Sequence, residues 1–203
     1  MTVPQQNSED CYTLLNQWIE SLFKHLEKYV QKERETLKKI NSLIQQLKYS
    51  YYDENYFKEI LNQLKEEVKK LKDAKTSEYG KKFIEYFIEE VEDLERKYKI
   101  CPKEPYQIFR YDIVEILSVS KHPEYDNLFV VRAKGKKIYT IITNIKNVKE
   151  RERRPVVLLP PKEFGSIISE AMFITEYPIK DINDIKIEDL KKLNSYYFEI
   201  VRS

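Results

Sequence analysis

The spacing of apolar residues changes once along this chain, near Pro102 and Pro105, and that change confines the fold to a helical half followed by a β half. From Asp10, apolar residues recur at Leu15, Trp18, Leu22, Leu26 and Tyr29, then at Leu37, Ile40, Ile44, Leu47 and Tyr51. Steps of three and four residues are the seam of a helical bundle or coiled coil. Between the two sets, Gln31-Lys32-Glu33-Arg34-Glu35 is polar on every side. It reads as a solvated turn, or as a weak point in one helix of about 35–40 residues and about 55–60 Å. Asp53 is a suitable N-cap for a helix with Phe57, Leu61, Leu64, Val68 and Leu71 inward. Thr76 or Ser77 can cap another, with Phe83, Phe87, Val91, Leu94 and Tyr98 inward, ended by Cys101-Pro102. Short connections make neighbouring helices antiparallel. A long helix on two shorter ones leaves apolar surface uncovered, so a homodimer or a docked partner is expected through this half.

After Pro105 the runs are short and β-branched: Ile108–Val119, Leu128–Ala133, Ile138–Thr143, Val156–Leu159 and Ala171–Thr175. Turn signals separate them at His122-Pro123, Lys134-Gly135-Lys136, Pro160-Pro161 and Gly165. Five such strands predict a small β-barrel. A short helix around Ile187–Leu193 follows, and then a strand-like run, Tyr196–Val201, to pair with the barrel edge or reach back to the helices. The expected class is α+β in two domains. Residues 1–101 form an antiparallel helical bundle, and 102–203 a barrel domain with an extension from about 176 that ends in a tail strand.

Composition narrows the chemistry. The chain has three glycines, too few for a phosphate-gripping loop, so neither nucleotide chemistry nor a cofactor is expected. His25 and His122 are far apart in sequence, and Cys11 and Cys101 form no CxxC pair, so no metal site is expected. A disulfide between the two cysteines has nothing in the sequence to support it. Acidic residues mostly alternate with lysine on helix faces, as solvated pairs do. The chain is read as non-enzymatic. It shows no leader and no apolar run of membrane length, so a cytoplasmic protein without a membrane partner is expected.

Net charge is only +2, but Arg132–Arg154 holds nine basic residues against Glu150 and Glu152. Lys134, Lys136 and Lys137 fall on a predicted hairpin turn, and Lys146, Lys149, Arg151, Arg153 and Arg154 before the fourth strand. Several cations within reach of one another are what phosphate binding requires. Tyr125, Phe129 and Tyr139 lie nearby as candidate stacking surfaces.

Three segments resemble one family in order and spacing. Lys121-His122-Pro123-Glu124-Tyr125-Asp126-Asn127-Leu128-Phe129-Val130 is similar to its His-Pro-x-Ala-Asp-x-Leu signature and the strand after it. Pro155–Lys162 resembles its fourth strand and the loop that follows, and Ser169-Glu170-Ala171-Met172-Phe173-Ile174 its closing Ser-x-Gly/Ala-Met strand. The family is the tRNA-binding OB-fold domain, appended to methionyl-tRNA synthetase and the phenylalanyl-tRNA synthetase β chain and also found in free-standing tRNA-binding proteins. The resemblance spans about residues 106–175. It implies a five-stranded OB-fold barrel that binds tRNA or other structured RNA by shape, with Ser169 and Met172 bordering the surface and Lys162 in the loop beside it. On this resemblance the helical half would either dimerise or dock on an aminoacyl-tRNA synthetase. The chain departs from the pattern at Asn127, where lysine is common, and at Thr143-Asn144, where Ser-Gly is usual. Two other readings share these residues. One is a scaffold subunit working through its helices, with a degenerate barrel. The other is a single-stranded nucleic-acid binder that stacks bases across strands 2 and 3.

Overall fold

A computed structural model describes residues 8–179 and 181–203, with side chains from Tyr12 onward. The Cys11 side chain, and with it the question of a pair with Cys101, lies outside those described. The chain divides into two compact units: residues up to Ile108 together with Asn194–Ser203, and Phe109–Leu193.

The first unit is helical. The polar run is a turn: α1 (Ser8–Glu27) stops, residues 28–33 turn, and α2 (Arg34–Leu47) starts again. The long single helix is therefore not formed. Val30 is folded inward from the turn, and the Glu33 amide donates to the Val30 carbonyl at 3.1 Å. No apolar stripe crosses 31–35, so nothing there would hold a continuous helix against a partner. α3 (Glu54–Lys69) begins where Asp53 accepts the amides of Asn55 and Tyr56. α4 (Glu78–Glu92) begins where the Ser77 hydroxyl accepts the Gly80 amide. The last predicted helix is split: α5 (Leu94–Ile100) follows an interruption at Asp93, then ends at Cys101 in a left-handed conformation before Pro102.

The apolar stripes of all these helices are buried within the one chain, from Leu15, Trp18 and Leu22 to Phe87 and Val91. Part of the reason is the tail. Tyr196–Val201 is not a strand but lies within α7 (Asn194–Arg202), which packs on α1. Tyr197 stacks on Trp18 at 5.7 Å, and its hydroxyl donates to the Leu14 carbonyl at 3.0 Å.

A buried ionic cluster crosses this core. Glu90 accepts the Trp18 indole N–H at 2.6 Å and faces the Lys97 ammonium at 2.5 Å. The Asp93 carboxylate lies 3.6 Å from the same ammonium.

The second unit is a five-stranded antiparallel sheet in the order β3-β2-β1-β4-β5. The strands are β1 (Arg110–Lys121), β2 (Phe129–Lys134), β3 (Ile138–Thr143), β4 (Arg153–Phe164) and β5 (Ile167–Phe173). Alternate residues form the core: Val114 and Ile116, Val131 and Ala133, Tyr139 and Ile141, Val156 and Leu158, Ala171 and Phe173. β5 also reaches β3 through side chains, Ser169 Oγ accepting the Ile142 amide at 3.0 Å and Glu170 the Thr140 amide at 3.4 Å. Pro160-Pro161, expected to be a turn, lies inside β4. The β4–β5 register shifts between Leu158 and Lys162, and prolines are tolerated where a ladder is interrupted. A short helix, α6 (Ile187–Lys191), follows the sheet.

Candidate nucleic-acid interface

Strand register decides which cations share a surface. Glu115 of β1 is exposed, with Lys134 opposite it on β2 and Arg153 opposite it on β4. With adjacent strands about 4.8 Å apart, the backbone positions of these two residues stand about 10 Å from each other across one outer row. The row joins two basic segments separated in sequence: the β2–β3 hairpin with Lys134, Lys136 and Lys137, and the 146–153 loop. Lys134, Lys136, Lys146, Lys149, Arg151 and Arg153 are all exposed, and Arg132 is exposed on β2.

Both basic segments are fixed by carboxylates. Asp112 Oδ2 accepts the Lys136 amide at 2.8 Å and the Tyr139 hydroxyl at 3.3 Å. A Cβ on Gly135 would stand 2.2 Å from that oxygen, so a larger residue there would have to displace the Asp112 carboxylate. In the loop, the Arg151 amide donates to the Ile116 carbonyl, and Arg151 has φ 66°. A non-glycine residue in the left-handed region costs roughly 1–2 kcal/mol. Glu152 accepts the Lys149 amide and two bonds from Arg154. Burial pushes the Glu152 carboxyl up, but those hydrogen bonds and the Arg154 charge outweigh it and hold the group below the usual carboxylate range.

Several expected contact residues lie elsewhere. Arg154 is 0% exposed. Its guanidinium bonds Glu152, the Asn147 carbonyl and the Glu176 carbonyl, and lies 5.8 Å from the Phe173 ring. It shares strand parity with the core residues Val156 and Leu158, a signal the sequence already carried. Tyr139 is likewise a core residue and offers no stacking face, while Phe129 is half-buried. Ser169 is buried, bonded to Ile142 and to the Ala171 carbonyl. Met172 is half-buried on β5, opposite Val157. Lys137 is half-buried near Glu170, at 3.9 Å, and Lys162 is exposed on β4 beside the Phe164 ring.

The His122 segment has a structural task. His122 Nδ1 accepts the Glu124 amide, so Nε2 carries the proton and donates to the Phe164 carbonyl at 2.9 Å. Glu124 accepts the Ser166 amide at 2.7 Å and its hydroxyl at 2.5 Å. Together these residues clamp the β4–β5 turn at Gly165.

Among the described residues, no group of three or more His, Cys, Asp or Glu side chains is placed to hold a metal, and no helix is long and apolar enough to cross a membrane. No protein-family model matches this chain, and no curated protein matches it.

Proposed function

We propose that the second unit is an OB-fold RNA-binding module, that its ligand is a structured RNA of the tRNA class, and that the protein acts without catalysing a reaction. The observation that carries this reading is the outer row Arg153–Glu115–Lys134, which brings the two basic segments onto one surface. Strand order and the β5-to-β3 hydrogen bonds agree with OB topology. Contact through phosphates is favoured over stacking of single-stranded bases because Tyr139 faces the core and Phe129 is half-buried. A ligand read by shape and phosphate position needs no aromatic platform.

Salt dependence of tRNA binding tests it. If about four of the exposed cations neutralise phosphates, log affinity falls against log salt with a slope of about −3 to −4. Combining Lys149→Glu, Arg151→Gly and Arg153→Glu should flatten that slope by about 2–3. Glycine at 151 removes the charge while suiting the backbone, and Arg154 is left untouched because it is structural. Unchanged retention of tRNA by the triple variant, or better binding of an unstructured oligonucleotide than of folded tRNA, would overturn the reading.

A further inference from the structure

A cavity of about 230 Å³ opens in the helical unit between the α1–α2 turn and the connection leading into α4. Lys28 and Lys32 line it from the turn, and Lys75 from the connection, more than forty residues later. Glu33 is the one acidic residue in the wall, so the lining carries a net charge of +2. The two segments are fixed to each other, the Thr76 hydroxyl donating to the Tyr29 carbonyl at 2.8 Å. Val30 anchors the turn in the core at 2% exposure.

The three lysines differ from most of those on the surrounding helices. Lys38, Lys39, Lys58, Lys69, Lys70 and Lys99 each pair with a glutamate. Among the described residues, Lys28, Lys32 and Lys75 pair with none. Three like charges around one hollow repel one another, and an anion placed among them would relieve that repulsion. The His25 imidazole, three residues before Lys28, is held below its ordinary value first by burial and then by the Lys28 charge.

We propose that this cavity binds a phosphate monoester, whose charge of about −2 matches the lining. The site lies in the helical unit and does not depend on RNA binding by the sheet. Amide NMR of the full chain tests it, at ionic strength held constant with sodium chloride. Inorganic phosphate and ribose 5-phosphate should each produce saturable shifts confined to residues 28–33 and 75–76, and a dinucleotide phosphodiester should not. A stronger response to ribose 5-phosphate than to inorganic phosphate would assign a free sugar phosphate. A stronger response to a 5′-phosphorylated trinucleotide than to its 5′-hydroxyl form would assign an RNA end. Lys28→Ala, Lys32→Ala and Lys75→Ala combined should abolish saturation while far-UV circular dichroism is unchanged, because all three side chains are exposed. Glu33→Gln should tighten binding by up to about thirtyfold, the effect of one unit charge at about 4 Å from a dianion in water. The proposal fails if phosphate gives no saturable shift at constant ionic strength, if the phosphodiester binds as well, or if the triple alanine variant still saturates.

Discussion

Replacing Lys97 by methionine removes the ammonium that faces Glu90 inside the helical core. Lys97 and Glu90 side chains are 0% and 1% exposed, so water screens neither, and the separation is 2.5 Å. Breaking a buried pair by removing one partner costs about 3–5 kcal/mol, because the remaining charge has no equivalent compensation. Asp93 adds to the imbalance, as it also loses the ammonium 3.6 Å away, although the Arg96 guanidinium still holds it at 2.6 Å. Against a typical stability of about 5–15 kcal/mol, Lys97→Met should remove a large fraction. The double variant Glu90→Gln with Lys97→Met removes both charges, while the glutamine carbonyl can still accept the Trp18 indole N–H. It should recover most of the loss, to within about 1–2 kcal/mol of the parent. Urea unfolding followed by circular dichroism and by fluorescence measures both, and Trp18 is the single tryptophan of the chain, so the emission reports from the cluster itself. A single variant costing under about 1 kcal/mol, or a double variant no more stable than the single, would refute the argument that charge imbalance sets the cost.

The sheet unit offers further tests. Gly165 sits at φ 58°, and a Cβ there would lie 2.3 Å from the Glu124 carboxylate, so Gly165→Ala should lower the melting temperature; a destabilisation below about 0.5 kcal/mol would contradict this. Hydrogen bonds from the Ser166 hydroxyl and amide hold the Glu124 carboxyl below its ordinary range. Its contribution is therefore complete above the ordinary glutamate value and disappears as pH falls through the lower folded value; the protection of the Ser166 amide against hydrogen exchange, relative to its intrinsic rate at each pH, should fall in that acidic window and not in Glu124→Gln. Arg154→Leu should destabilise the unit by about 2–4 kcal/mol, since it leaves the Asn147 and Glu176 carbonyls and the Glu152 carboxylate without the Arg154 donors, whereas Arg153→Leu should change stability by less than about 0.5 kcal/mol in the same thermal melt.

Local chemistry made much of this fold readable. Asp53 and Ser77 cap helices because a short oxygen-bearing side chain can reach the first free amides, and that preference needs no tertiary context. The strand runs are likewise marked by β-branched residues between turns. The tail was harder, because Tyr196–Val201 is rich in residues that suit strands. Yet Leu193, Tyr197, Ile200 and Val201 recur at helical spacing, and burial of Tyr197 against Trp18 outweighs the strand preference. At the candidate interface, the basic residues could be counted from the sequence but their exposure could not. Arg153 and Arg154 are adjacent, yet strand alternation sends one to solvent and the other into the core. Which of the two faces inward depends on the pairing with β1, a long-range choice. The two carboxylate clamps at the hairpin tips were hidden for the same reason, since Asp112 and Glu124 meet partners 24 and 42 residues away.

The Arg154 guanidinium bonds the Asn147 carbonyl in the basic loop and the Glu176 carbonyl beyond β5, while the Arg153 carbonyl accepts the Ile179 amide. The loop and the segment after the sheet are thus fastened at one point. Neither can fray without uncovering a donor that the other shares, so the two should open as one cooperative element with a common opening free energy. The stiffness of the basic surface is then set from behind, by a stretch of chain that carries none of its charge.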